Sequence, residues 1–308
     1  MDPLTQGVIG ALAAQTISRK TDLVKASVIG GLAAMAPDLD VLIRSSTDTL
    51  LALEYHRHFT HSLAFVPIGG LICALLFQLL LGAVWRLQFK QTLSWCLIGY
   101  ATHGLLDAFT SYGTQLLWPL SNTRFSWDVI AVIDVSFTLP LLFLLVCVAR
   151  LKNKYYLTAA GIWGCLYMGL GYVQHERAIA LGHELVAQRG HESLRLEAKP
   201  SFSNIVVWKV IYETATHFHV AAIKPGVFSA TVWGGSKIPK LNVKRDLAWL
   251  DFTSQQAKDI QRFAKFSEGY IALDPKDPMR IIDIRYSMLP NEINPLWGIE
   301  LSANSGNK

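Results

Sequence analysis

Histidine and aspartate gather in three short stretches of the first 107 residues. Asp38 and Asp40 sit in Pro37-Asp38-Leu39-Asp40, and His56, His58 and His61 in His56-Arg57-His58-Phe59-Thr60-His61-Ser62. His103 and Asp107 frame His103-Gly104-Leu105-Leu106-Asp107, a spacing that puts both on one helix face. Asp2, Asp128 and Asp134 complete the candidates. Imidazole and carboxylate without thiolate form the donor set of a hydrolytic metal site, suited to Zn²⁺ and also to Mn²⁺ or Fe²⁺. Each cluster alone has a bland explanation: a helical hydrogen bond for His103 and Asp107, a helix stop for Pro37 to Asp40, a solvated loop for the histidines. Together they predict one site in which His56, His61, His103 and Asp107 hold a metal, and Asp38 and Asp40 complete it or bind a second. Asp40 or Asp134 would move protons. Arg57 or Arg124 would grip an anionic substrate, or equally a lipid headgroup.

Long apolar stretches separate these clusters. Segments 63–85, 92–109, 129–149 and 156–173 are each read as a membrane span, because about 20 mostly apolar residues cross a bilayer. Segments 3–17 and 23–36 are shorter and rich in Ala and Gly, which favours close helix packing, either as tilted spans or as a hairpin against the stronger helices. Loops 18–25, 86–91 and 150–155 hold 8 Lys or Arg in 20 positions, against 3 in 44 for loops 37–62 and 111–128. Short cytoplasmic loops are enriched in basic residues, so the His/Asp clusters and everything after residue 174 are expected outside the cytoplasm.

Composition agrees with two regions. Of 308 residues, 51% are hydrophobic and only 17% charged, too apolar for one soluble globule and far too apolar for disorder. Residues 1–174 carry 20 charged side chains and residues 175–308 carry 31. The expected division is therefore 1–174, an all-α membrane region of about six helical segments, and 175–308, a small soluble α+β domain. Net charge is spread evenly and no Lys/Arg run occurs, which argues against nucleic acid. Cys73, Cys96, Cys147 and Cys165 lie in apolar stretches with no CxxC pair, so neither disulfides nor a thiolate zinc site is expected. The N-terminus begins Met1-Asp2-Pro3 with no basic n-region, so no cleaved signal peptide is expected.

The motifs Met1-Asp2-Pro3-Leu4-Thr5, Pro37-Asp38-Leu39-Asp40, His56-Arg57 with Thr60-His61-Ser62, and His103 with Leu106-Asp107 occur in that order. Thr110-Ser111-Tyr112-Gly113-Thr114 and Trp118-Pro119 follow. Over residues 1–175 this resembles the YdjM-like family of LexA-regulated inner-membrane proteins, described as metal-dependent hydrolases. The resemblance implies a bacterial inner-membrane, multi-pass metal hydrolase without naming its substrate. Family members often carry His directly after the N-terminal Thr; here Gln6 stands there, which leaves Asp2 as the nearest substitute.

In the polar half, 176–198 reads as a helix leaving the membrane and 254–266 as an amphipathic helix. Segments 202–212 and 217–223 read as a hairpin, and 228–233, 271–273, 280–288 and 297–301 as further strands. The functional expectation is hydrolysis of an ester, with a phosphodiester of a lipid-linked or amphiphilic substrate as the specific guess. The alternatives are a metal- or proton-coupled transporter and a membrane scaffold pinned by metal without catalysis.

Overall fold

In a computed structural model, residues 1–302 are described. They fall into two compact units: Met1–Tyr172 with Phe202–Asn204, and Val173–Ser201 with Ile205 onward.

The first unit is helical. Asp2 caps α1 (Pro3–Thr16), accepting from the Thr5 N–H, and Pro3 stands where a helix needs no amide donor. α2 (Leu23–Met35) returns alongside and passes into a 3-10 turn over Ala36–Leu42. The short α3 (Leu51–Tyr55) and a 3-10 turn over Phe59–His61 lead to α4 (Val66–Trp85). α5 (Phe89–Ala108), α6 (Val135–Leu151) and α7 (Tyr155–Gln188) follow, α7 running on into the second unit.

Only Leu63–Trp85, among the described residues, forms a helix both long and apolar enough to cross a membrane. It displays Leu75, Leu79 and Val84 outward, Leu79 at 81% exposure, as a lipid-facing helix does. This corrects the expectation of four full spans. Segment 129–149 is not one helix: residues 129–134 are non-helical, their backbone tied to the Asp2 N–H and the Phe109 carbonyl, and α6 has 17 residues. α5 has 20 residues but carries Lys90, Gln91, His103 and Asp107, which dilute its apolar character. Segment 156–173 is the first half of a 34-residue helix that becomes polar. α1 and α2, at 14 and 13 residues, are about 20 Å long, short of the roughly 30 Å hydrocarbon core.

α1 and α2 form a hairpin at backbone contact. A Cβ on Gly10 would lie 2.2 Å from Ala34 Cβ, and one on Gly99 of α5 2.3 Å from the Gly30 carbonyl oxygen. Ile29, Ala33, Trp95, Cys96 and Tyr100 fill the core between α2, α4 and α5. This packing brings the C-terminal ends of α2 and α5 together.

The second unit is built on two antiparallel sheets. β1 (Arg195–Pro200), β2 (Trp208–Glu213), β3 (His217–Lys224) and β4 (Thr231–Pro239) pair in sequence order. The single-turn α8 (Val243–Asp246) and the Ser254-capped α9 (Gln255–Phe266) precede β5 (Ile271–Asp274), β6 (Asp277–Asp283) and β7 (Gly298–Glu300). Ile211, Phe218, Tyr270 and Ile282 lie in its core. β1 corrects the expected helix 176–198, which ends at Gln188.

Candidate metal centre

The helix packing converts distant sequence positions into one site. α2 ends because Pro37 follows. In the 3-10 pattern the Ala34 carbonyl would take its hydrogen bond from the Pro37 nitrogen, which carries no hydrogen. His103 Nδ1, arriving from α5, lies 2.5 Å from that carbonyl oxygen and donates to it. That bond fixes the tautomer and leaves the lone pair on Nε2.

His61 is oriented in the same way from the other side. Its Nδ1 lies 3.2 Å from Asp40 Oδ2 and 3.0 Å from the Thr60 hydroxyl, which itself donates to Asp40. Its Nε2 lies 2.8 Å from His103 Nε2. Two imidazole lone pairs therefore face each other. Asp38 Oδ1 is 3.4 Å from each Nε2, and Asp107 Oδ2 is 3.3 Å from that of His61 and 3.7 Å from that of His103. One ligand atom from each of Asp38, His61, His103 and Asp107 lies within 4.8 Å of every other.

These four fit a divalent cation. Four acceptors converging in a buried space repel unless something positive lies among them. A proton would satisfy one imidazole pair; a cation satisfies all four. Tetrahedral coordination at zinc–nitrogen distances of about 2.0–2.1 Å sets ligand atoms roughly 3.3 Å apart, and the distances from the two carboxylate oxygens to the imidazole nitrogens fall near that value. Asp107 Oδ2 is buried without a hydrogen bond, while Oδ1 accepts from the Gln6 amide at 2.9 Å and from the Met1 amino group. The carboxylate is thus anchored by one oxygen and presents the other inward.

The field of the site favours positive charge. Burial opposes a charge on His61, yet Asp107, Asp38 and Asp40 outweigh it and push its pKa up to about 10. Burial raises the Asp38 carboxyl, but His103 and His61 more than reverse this and hold it well below the usual carboxylate range.

Not every expected site residue joins the four. Asp40 is buried behind His61 and accepts from His56 Nδ1 at 2.8 Å, the Arg57 N–H at 3.1 Å and Thr60 Oγ1 at 2.9 Å. It holds the imidazole that faces the centre, as carboxylates behind metal-bound histidines do. His56 points at Asp40, not at the centre. Arg57 places Nε 3.1 Å from Asp107 Oδ2 and donates to the Thr110 hydroxyl at 2.9 Å, from a left-handed backbone (φ 61°). Arg124 donates to the carbonyls of Glu54, His56 and Gly113, bracing the loop. Asp134 caps α6 through the Phe137 N–H and accepts from the Tyr167 hydroxyl at 2.8 Å, contacts that belong to α6 and α7. Asp2 is spent on capping α1. Gln6 takes the place beside Asp107 instead, and its amide gave no sign of this because it is not among the usual donors of a zinc site.

Gly104 makes the assembly possible. A Cβ there would lie 2.0 Å from the His61 carbonyl oxygen, so only glycine lets the turn carrying His61 rest against α5 beside His103.

Comparison with known proteins agrees with the sequence motifs. Over 268 residues the chain is 24% identical to the uncharacterized protein YfhP of Bacillus subtilis (strain 168), covering 82% of this chain and 75% of that one. Over 111 residues it is 35% identical to the inner membrane protein YbcI of Escherichia coli (strain K12), covering 33% of this chain and 60% of that one. No solved structure matches. Residues 1–178 match the YdjM inner membrane protein family, and the chain belongs to that family.

Proposed function

We propose that the chain is a membrane-bound, metal-dependent hydrolase whose centre lies at the extracytoplasmic face of the bacterial inner membrane. The observation that carries this reading is the convergence of Asp38, His61, His103 and Asp107 on one point beside an apolar span. His and carboxylate donors favour zinc, then manganese or iron. A cation bound there supplies Lewis acidity toward an ester.

The chain's own residues do the rest. His103 and His61 present fixed lone pairs because Ala34 and Asp40 hold their other nitrogens. Arg57 sets a positive charge against Asp107 and the anionic side of the site. Asp38, whose side chain is 25% exposed, faces the side that solvent and substrate reach, while the other three donors are buried. The bias of Lys and Arg toward the loops 18–25, 86–91 and 150–155 supports a multi-pass arrangement with the second unit outside the cytoplasm. A centre beside a span, at the ends of α2 and α5, suits a lipid-linked or amphiphilic ester, a phosphodiester foremost. Transport has less support, because the polar groups cluster at helix ends.

The test is metal analysis of detergent-purified protein alongside a panel of carboxylic and phosphoric esters. Wild type is expected to hold about one transition metal per chain and to turn over at least one ester class. His61→Ala is expected to lose both. Stoichiometric metal with no turnover on any ester would refute the hydrolase reading and leave the centre standing.

A further inference from the structure

A second feature of the first unit lies apart from the metal donors. Between α1, α5, α6 and α7 runs a groove of about 360 Å³. Its walls include Ile9, Leu106, Phe109, Phe137, Gly161 and Gly164, and only Thr16 and Thr102 add hydroxyl groups. Along α7 it extends from Leu157 to Met168, about 16 Å at 1.5 Å per residue. That is close to half of the roughly 30 Å hydrocarbon thickness, the depth of one leaflet's chains. An apolar slot of this length, in a protein of an inner-membrane family, matches one polymethylene chain of a membrane lipid.

The wall is open by composition. An added Cβ on Gly161 or Gly164 would meet nothing within 4 Å. The helix surfaces beside it expose Leu139, Ile162 and Leu166, so in a membrane protein the medium at its mouth is lipid.

We infer that this groove binds one acyl chain of a membrane lipid. The site stands whether or not the metal centre hydrolyses anything, since its lining shares no residue with the four donors.

The experiment reconstitutes the full chain in phosphatidylethanolamine and phosphatidylglycerol vesicles containing a phospholipid with a diazirine in its acyl chain, then maps the photolabelled peptides. Label is expected on the groove segments of α1, α5 and α7, above the level on the exposed face of α4. Gly161→Leu and Gly164→Leu add side chains to the groove wall at positions where a Cβ meets nothing, and are expected to cut groove labelling at least five-fold, with α4 labelling unchanged. Gly169→Leu is the control: its Cβ also meets nothing within 4 Å, but it does not line the groove, so labelling should persist. Groove labelling no higher than on α4 would overturn the inference. So would retention in both leucine variants, or equal loss in Gly169→Leu. Metal content, expected unchanged in all three variants, separates this outcome from any failure of the metal centre.

Discussion

Replacing Asp40 by Asn tests whether this carboxylate is a ligand or a support. Oδ2 accepts from Thr60 and Arg57 and lies 3.2 Å from His61 Nδ1, while Oδ1 faces His56 Nδ1. An amide keeps this geometry if its oxygen takes the Oδ2 position and its NH₂ faces His56, whose half-exposed ring can present the other tautomer. What is lost is one negative charge behind His61. Through the ring that charge lies about 7 Å from a cation at Nε2, worth roughly 2 kcal/mol at an effective dielectric of 20. This sits within the 10- to 100-fold loss typical of removing such a partner, about 1.4–2.7 kcal/mol. Asp40→Asn should therefore weaken zinc binding about 10- to 50-fold, measured by chelator competition on the purified full-length protein. Asp38→Ala, which removes a donor, should weaken it well beyond that. Equal losses in the two variants would make Asp40 a ligand and refute the assignment; an unchanged affinity in Asp40→Asn would show that His61 is oriented by something else.

Other outcomes follow from the same geometry. Gly104→Ala should displace the turn carrying His61, costing about 1–3 kcal/mol of stability and most of the bound metal; wild-type melting and metal content would contradict the close packing at that position. Asp134→Ala removes a helix cap and the Tyr167 contact, so it should cost about 1–2 kcal/mol while metal content stays at the wild-type level; loss of metal would return Asp134 to the centre. In the second unit, burial pulls Lys209 down to about 7, only partly offset by Asp283. The unfolded chain then binds more protons than the folded one between about pH 7 and 10.5, so stability rises with pH across that window and the full penalty, on the order of 5 kcal/mol, is present below it. Hydrogen exchange of β2 amides, corrected for intrinsic rates, should slow from pH 7 to 9 in wild type, and Lys209→Met should abolish this trend.

The chemistry was legible in the sequence because few residue types can bind a hard or borderline cation, and those types were clustered. Asp38, His61, His103 and Asp107 all stood among the expected ligands. The exclusion of Asp40 and His56 was not legible, since the side of a 3-10 turn that faces α5 depends on where Pro37 ends α2 and on how closely Gly104 lets the next turn approach. α4 was readable from length and apolarity alone. The start of α6 was not: Val129, Ile130 and Val132 look helical by composition, yet the backbone there is held by Asp2 and Phe109, and Asp134 was the cap that marked the true start. β1 was hidden by its charges, Arg195, Glu197 and Lys199, which the fold buries or half-buries as ion pairs, Lys199 with Glu197 and Arg195 with Glu213.

Whether the centre performs a reaction or only fastens helices turns on what else holds those helices. A structural zinc site is closed by four protein donors, and a catalytic one keeps a position open. Here α2 and α5 are locked without metal, since Gly99 meets the Gly30 backbone and Trp95, Ile29 and Cys96 fill the space between. Asp38 alone of the four is reached by solvent, and it sits on a 3-10 turn that can give way without disturbing that core. Metal removal should therefore loosen the turns carrying Asp38 and His61 while leaving α2 and α5 protected. In hydrogen exchange with and without chelator, faster exchange should be confined to residues 36–62. Exchange that accelerates through Ile29, Trp95 and Tyr100 as well would mean that the cation supplies the bundle's cohesion, and the case for an adjustable, substrate-facing ligand would fall with it.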